Sequence, residues 1–158
     1  MPNGSNLLQQ TIDTELPHLR ALPEAAASLR PAGPESWSPK QELGHLIDSA
    51  ANNHIRFVCA ATQPSFQGPT YAQDAWVSLH AYSDQPWHEI IDFWYAYNSF
   101  LANLITRIPA DALEHPCAVG TSQNPVPLRF LIEDYELHMQ HHIDHLLSRP
   151  VVTPYPRV

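Results

Sequence analysis

The chain has 158 residues, of which 44% are hydrophobic and 15% charged, a composition typical of a soluble globular protein, and we expect one domain over residues 1–158. The net charge of −8, with Lys40 as the single lysine, leaves no basic stripe and argues against nucleic acid as a partner. The sequence shows neither a long apolar run nor a signal-peptide pattern, so we expect a cytoplasmic protein that does not bind membranes.

Four long segments with helical periodicity, and no segment with the alternation of a strand, predict an all-α fold without a sheet. The first segment runs from about Ser5 to Leu29. Pro17 and Pro23 lie inside it and are expected to kink or interrupt the helix, because proline lacks the N–H that a helix interior requires.

The second helix is predicted from its start signal, the stretch "SWSPKQELGHL". Ser38 is a candidate N-cap, Pro39 suits the first helical position, and Gln41 could close a capping box. The periodic pattern continues to about Ala61.

A long connection follows, "TQPSFQGPTYAQDAWVSLHAYSDQP", in which we expect a short helix from Asp74 to Leu79. Loops of this length in a compact domain often shape a functional site. The third helix is predicted from about Pro86 to Ile108, with Ser83 or Asp84 as its cap.

The last helix is predicted to begin near Pro127 and to end before Pro150, after the polar connection "ADALEHPCAVGTSQNPVP". Four helices with long crossover connections indicate a four-helix bundle. Cys59 and Cys117 fit no metal or redox spacing, and we expect them to be buried free thiols.

The last helix carries four histidines in the stretch "YELHMQHHIDHLL". His138 and His142 are four residues apart, as are His141 and His145, so either pair could offer two imidazoles to one metal ion. Helical projection places His138 and His142 beside the apolar stripe and His141 further outside. A solvated, histidine-rich face is the alternative, because the motif lacks the glutamate of a His-Glu-x-x-His site.

A catalytic metal site typically needs a third protein ligand, and the second helix offers His45 in "ELGHLIDSAANNHIRF". Projection places His45 on the polar face of this helix, on the same side as Asp48, Ser49, Asn52 and Arg56. Periodicity alone therefore predicts that His45 is exposed. The wall of a cleft is the alternative position for such a face.

Three stretches of the sequence carry a family resemblance: "WSPKQELGHLIDSAANNHIRF", the loop with Tyr71 followed by Ala75-Trp76, and "YELHMQHHIDHL". Together they resemble the DinB/YfiT-like superfamily over about Trp37 to Leu146. The resemblance implies a four-helix bundle with a divalent metal ion held by three histidines, one in a "GHLID" segment of the second helix and two in the last helix.

Carried onto this sequence, the resemblance implies His45, His138 and His142 as the metal ligands. Asp48 matches the acidic position of the family's "HLAD" segment and could orient a ligand or accept a proton, although a cap or salt bridge is an alternative role. His145 could support a ligand or face the substrate. Packing or solvent exposure is the alternative role for this histidine.

A substrate cleft beside the metal is expected to be lined by Asn52 and Arg56 of the second helix and by the loop aromatics Tyr71 and Trp76. For the two aromatics, simple packing is the alternative. The remaining histidines match no ligand position and are expected on the surface or in loops: His18, His54, His80, His88 and His115.

Three neutral imidazoles would leave one divalent ion, which we expect to be zinc or nickel, with its full charge and with open coordination positions. Such an ion could lower the pKa of a bound water for hydrolysis, or bind a small thiol as thiolate beside an electrophile. The resemblance implies a metal-dependent hydrolase or an enzyme that transfers a low-molecular-weight thiol such as bacillithiol or mycothiol. We favour thiol transfer.

The sequence is also compatible with two hypotheses in which the protein is not a metal-dependent enzyme. In the first, the metal fastens the second helix to the fourth without catalysis, with His145 or Asp48 as a fourth ligand, and the protein acts by dimerising or by binding a partner. In the second, the bundle holds no metal. The resemblance also implies a homodimer, for which an apolar face on the first or third helix could serve.

Overall fold

Four long helices form the bundle in the computed structural model, which describes residues 4–156. They are α1 (Gly4–Ala21), α3 (Pro39–Thr62), α5 (Trp87–Thr106) and α6 (Leu128–Leu146). Helices α5 and α6 each pack against both α1 and α3. The all-α four-helix prediction is confirmed for the described residues. None of the helices within residues 4–156 combines the length and apolarity needed to span a membrane.

The first predicted helix is divided at its second proline. Helix α1 contains Pro17 and ends at Ala21, and Pro23 then precedes the one-turn helix α2 (Glu24–Ala27). Pro23 lies at the N-cap of α2, where its missing N–H costs no helical hydrogen bond. The predicted interruption is therefore confirmed.

Helix α3 begins as its sequence predicts. The Ser38 hydroxyl accepts a hydrogen bond from the backbone N–H of Gln41 at 3.3 Å, and the Ser38 N–H donates to the Gln41 side chain at 3.0 Å. This capping box fixes the first turn of the helix that carries His45. The helix ends at Thr62, one residue beyond the predicted end.

The predicted cap of α5 is wrong. Neither Ser83 nor Asp84 caps this helix, since both lie in a 3₁₀ turn (Tyr82–Asp84) that precedes it. The backbone N–H of Trp87 instead donates to a carboxylate oxygen of Glu24 at 2.8 Å. A carboxylate from α2 thus accepts a hydrogen bond from a free backbone N–H at the start of α5. Capping rules consider only neighbouring residues in the sequence and cannot detect such a contact.

A small sheet corrects the prediction that no strands are present. Strand β1 (Phe66–Gly68) pairs in parallel with β2 (Pro116–Val119), which pairs antiparallel with β3 (Val126–Pro127). Strands of two to four residues are too short to show alternation, and two of them contain proline. The sheet joins the connection after α3 to the connection after α5. The predicted short helix in the first connection is present as α4 (Gln73–His80).

Both cysteines are free, as predicted, with Cys117 buried and Cys59 half-buried. The bundle core is filled by the large apolar side chains expected from periodicity, among them Trp94, Phe57 and Leu43.

Gly44, the residue before His45, allows the Tyr82 ring to pack directly against α3. A Cβ atom at Gly44 would lie 2.2 Å from Cδ2 of Tyr82, far inside van der Waals contact. Gly44→Ala is therefore expected to destabilise the fold by roughly 1–3 kcal/mol, measured by urea unfolding. In a Tyr82→Ala background the same substitution should be neutral or stabilising by up to about 1 kcal/mol, since alanine is the better helix former. Equal destabilisation in both backgrounds would contradict this packing argument.

Candidate metal centre

Three histidines from two helices meet inside the bundle. His45 of α3 and His138 and His142 of α6 each place one ring nitrogen within 4.8 Å of the others. The Nε2 atoms of His45 and His138 are 3.0 Å apart. Nitrogens that bind one zinc ion at about 2.1 Å lie roughly 3.4 Å apart when the geometry is tetrahedral. The spacing of these imidazoles therefore fits a single divalent ion.

The exposure that periodicity predicts for His45 is wrong. Its side chain is 1% exposed, and the neighbouring Asp48 and Ser49 are also buried. The polar face of α3 is directed into the protein, where its groups contact polar groups of α6 and of the first connection. Helical projection identified the face correctly but assigned it to solvent, because periodicity assumes that polar side chains face water.

Burial keeps two of the imidazoles neutral. Burial, with a smaller contribution from His142, lowers the pKa of His45 to about 3. Burial and the neighbouring imidazoles lower the pKa of His138 to about 2. The neutral form is the one that binds a metal, and Nδ1 of His45 is a buried polar atom without a hydrogen-bond partner among the described residues. The donor set thus fits a divalent cation better than it fits protons.

These lowered pKa values predict a pH effect on the stability of the metal-free protein. A histidine whose folded pKa is lowered binds fewer protons when folded than when unfolded, so its contribution is lost as the pH falls below about 6.5. Relative to wild type, metal-free His138→Asn should therefore gain roughly 2 kcal/mol in unfolding free energy between pH 7.5 and pH 5.

Urea unfolding of chelator-treated protein at both pH values measures this difference. The comparison with a variant is needed because buried Glu136, whose pKa burial raises to about 8, changes the stability in the opposite direction. A constant difference between the two proteins at pH 7.5 and pH 5 would contradict a neutral, buried His138.

Glu42 holds one of the candidate ligands and was missed by sequence reasoning. Its buried carboxylate accepts a hydrogen bond from Nδ1 of His142 at 2.9 Å and from Nδ1 of His145 at 2.8 Å. A carboxylate on Nδ1 leaves Nε2 of His142 as the coordinating nitrogen. The signal in the sequence was the position of Glu42, three residues before His45 and therefore on the same helical face.

His145 lies beside the centre rather than in it. Its side chain is 63% exposed, and it shares Glu42 with His142. His141 is likewise outside the group of three, with its ring centroid 5.2 Å from that of His142. The structure therefore brings His138 and His142 together with His45. It does not do so for the alternative pair of ligands, His141 and His145.

Asp48 does not contact the three imidazoles, which corrects the expectation that it orients a ligand or serves as a fourth one. Its Oδ1 accepts hydrogen bonds from the Tyr82 hydroxyl at 2.7 Å and from Nδ1 of His80 at 2.8 Å. His80 was predicted to be a surface histidine without a role. It is half-exposed, but it pairs with a buried carboxylate.

A cavity of about 280 Å³ opens beside His45 and His138. Two of the four predicted cleft residues, Arg56 and Tyr71, line it. The other two do not: Asn52 donates to the backbone carbonyl of Asp48, and Trp76 lines a different cavity. The structure thus brings Arg56 and Tyr71 to this cavity and does not bring Asn52 and Trp76 to it.

The chain segment after α6 also reaches the site. The ring of Tyr155 lies 5.1 Å from that of His138, between centroids, and Tyr155 lines the cavity. The ring of Trp37 lies 4.9 Å from that of His45, between centroids. Aromatic side chains therefore pack against two of the imidazoles, and neither residue was singled out by sequence reasoning.

The family model of the DinB superfamily matches residues 7–146, which is most of the sequence. The matched range includes α3 and α6, the two helices that carry the three histidines. The chain belongs to the DinB superfamily. The resemblance drawn from the histidine segments is thereby confirmed. No curated protein sequence matches this DinB-superfamily chain.

Among solved structures, this DinB-superfamily chain is similar to YfiT from Bacillus subtilis, described as a probable metal-dependent hydrolase with an unusual four-helix bundle topology. The two superpose with a TM-score of 0.80 at 18% sequence identity, over 92% of this chain and 82% of that chain. At this identity the likeness establishes the fold, which is the same four-helix bundle.

Proposed function

We propose that this protein is a divalent-metal-dependent enzyme that acts on a small polar substrate, with His45, His138 and His142 as the metal ligands. One observation carries the proposal: three imidazoles converge beside a cavity, and among the described residues no fourth histidine, cysteine or carboxylate joins them. A structural metal site is normally closed by four protein ligands, whereas a catalytic site keeps a position open. The two residues considered as a fourth ligand, Asp48 and His145, are bonded elsewhere.

When bound, a divalent ion supplies Lewis acidity that favours the deprotonated form of a water or a thiol. The chain supplies the orientation of the ligands. Glu42 holds His142 through Nδ1, and Ser49 lies 3.4 Å from Nδ1 of His138. Trp37 and Tyr155 limit the access of bulk water, which strengthens electrostatic interactions in the cavity.

Arg56 is the group in the cavity best suited to bind a substrate anion. Its guanidinium is partly buried, and it donates to the backbone carbonyl of Pro69 and approaches the side-chain oxygen of Asn53, both of them neutral oxygens. A guanidinium that donates to these two neutral oxygens can still form a strong bidentate bond to a carboxylate or phosphate. Burial raises the pKa of Tyr71 to about 12, so this phenol keeps its proton and can donate to a substrate oxygen.

Of the two reactions, we place transfer of a low-molecular-weight thiol to an electrophile first, and hydrolysis of a small substrate second. The thiol proposal draws on the resemblance to family members that use such thiols. The hydrolase proposal is supported by the description of YfiT as a probable metal-dependent hydrolase. Zinc and nickel are the ions we propose to test first, since imidazole ligands suit both.

The proposal is tested by assaying zinc-loaded and nickel-loaded protein with two substrate sets. One pairs bacillithiol or mycothiol with the electrophile monobromobimane, and the other is a panel of nitrophenyl esters without thiol. We expect turnover in one set that is lost on treatment with a chelator and in His138→Ala. His141→Ala, which alters the same helix outside the group of three, should retain turnover.

The non-catalytic hypothesis makes a different prediction for the same protein. X-ray absorption of the metal-loaded chain should show three nitrogen ligands and at least one exchangeable ligand if the site is catalytic. Four fixed protein ligands, together with no turnover in either substrate set, would overturn the enzyme proposal in favour of a metal that only fastens α3 to α6.

A further inference from the structure

A second cavity lies between α3, α4 and α5, and none of the three histidines lines it. Its volume is about 540 Å³, within the range of roughly 300–1,000 Å³ found for small-molecule sites. Its wall is mostly apolar and aromatic, with Ile47, Trp76, Ile90 and Phe93 among the lining residues. Trp76 meets Tyr71 of the first cavity edge to face, with ring centroids 5.4 Å apart. The two cavities are neighbours, but they share no lining residue.

A buried polar cluster interrupts the apolar wall, and the exposed side chains of Gln85 and Glu89 also line the cavity. Asp48, 1% exposed, accepts from the Tyr82 hydroxyl and from Nδ1 of His80, both on Oδ1. All three residues line the cavity. The buried carboxylate thus favours the tautomer of His80 in which Nδ1 carries the proton, and in this tautomer Nε2 is a hydrogen-bond acceptor. The described residues form no hydrogen bond to Nε2.

The hydrogen bond between Asp48 and His80 connects α3 to α4. The second oxygen of Asp48, Oδ2, is buried and has no hydrogen-bond partner among the described residues. A buried acceptor without a partner costs about 1–3 kcal/mol, and Glu15 and Glu136 elsewhere in the fold each have one such oxygen as well. Burial also raises the pKa of Asp48. The feature that points to a ligand is the orientation of His80, because Asp48 binds Nδ1 of this half-exposed ring and leaves Nε2 accessible at the cavity wall.

We propose that this cavity is a second small-molecule site, which binds a planar apolar molecule carrying one O–H or N–H donor. The aromatic wall contacts the apolar body of the ligand, and Nε2 of His80 accepts the donor. Asp48 is a positioning residue, which acts by holding the tautomer of His80. The proposal does not depend on the metal centre, because neither His80 nor Asp48 contacts the three imidazoles.

The probe for this site is 2-naphthol, with naphthalene as the matched molecule that lacks the donor. In nuclear magnetic resonance titrations, 2-naphthol should shift the indole N–H signal of Trp76 and leave that of Trp37, which lies beside His45, unchanged. One hydrogen bond corresponds to a preference for 2-naphthol over naphthalene of roughly tenfold in affinity. The nitrogen chemical shifts of His80 should report a protonated Nδ1.

His80→Phe keeps a ring of similar size at a half-exposed position, so it should fold and lose the preference for 2-naphthol. Asp48→Asn should reduce the same preference by reversing the tautomer, while naphthalene binding stays unchanged. His88→Phe is the control, an exposed histidine of α5 outside the cavity lining, and should behave as wild type. Metal-free His138→Ala should also bind 2-naphthol as wild type, which separates this proposal from the metal-dependent activity.

Saturable binding of 2-naphthol at Trp76 with the tenfold preference, lost in His80→Phe, would support the second site. Absence of saturable binding, equal affinity for both probes, or an unchanged preference in His80→Phe would overturn it. A shift of Trp37 instead of Trp76 would also overturn it, because the probe would then occupy the cavity of the metal centre.

Discussion

Replacement of His45, His138 or His142 by alanine is expected to remove stoichiometric metal from the protein. Wild type should bind about one ion per chain, because the three imidazoles form one site. Each substitution leaves two ligands, and affinity should fall by more than about a hundredfold, since even groups that merely support a ligand contribute tenfold to a hundredfold. Elemental analysis of untagged protein after dialysis measures the metal content.

His141→Ala is the matched control for these three variants. His141 lies on the same helix between two of the candidate ligands, yet it is outside the group whose nitrogens lie within 4.8 Å. It should retain nearly all of the metal. Equal loss in His141→Ala and His142→Ala would refute the ligand assignment on α6, and unchanged metal content in His45→Ala would show that α3 supplies no ligand.

Glu42→Gln is expected to weaken metal binding by tenfold to a hundredfold without removing a ligand, an effect of about the size measured for groups that support a ligand. The glutamine keeps the shape of the side chain but loses the charge that holds Nδ1 of His142. Zinc titration in competition with a chelator of known affinity measures the dissociation constant.

His145→Ala separates the two hydrogen bonds of Glu42. It removes the contact of Glu42 with the exposed histidine and keeps the contact with His142. We expect a change in affinity of no more than about threefold, since the candidate ligand stays oriented. If His145→Ala weakened binding as much as Glu42→Gln, His145 and not His142 would be the residue through which Glu42 acts.

The helices of this fold could be predicted from local signals. The Ser38 capping box and the final proline-bounded segment both specify their own ends, because helix boundaries depend on residues within one turn. The histidine segments identified the superfamily. What failed were the features that depend on distant parts of the chain: the α5 cap supplied by Glu24, and the parallel pairing of Phe66 with Cys117.

In the candidate site, too, local features could be predicted, whereas contacts between distant parts of the chain could not. His138 and His142 could be paired from their spacing on one helix. The burial of His45 could not be derived from periodicity, because it is covered by groups from other parts of the chain, among them His138 of α6 and the ring of Trp37. Glu42 and His142 are 100 residues apart in sequence, and Asp48 and His80 are on different helices, so no local pattern connects either pair. Such contacts become visible only when the helices are assembled.

The distribution of the three imidazoles along the chain has a thermodynamic consequence. His45 and His138 are 93 residues apart, so the unfolded chain holds them together only rarely and binds a metal ion far more weakly than the folded bundle. An ion that selects the folded state stabilises it by about 2.7 kcal/mol when its free concentration is a hundred times the dissociation constant. The temperature at which this bundle unfolds should therefore rise and fall with the supply of free metal ion around it.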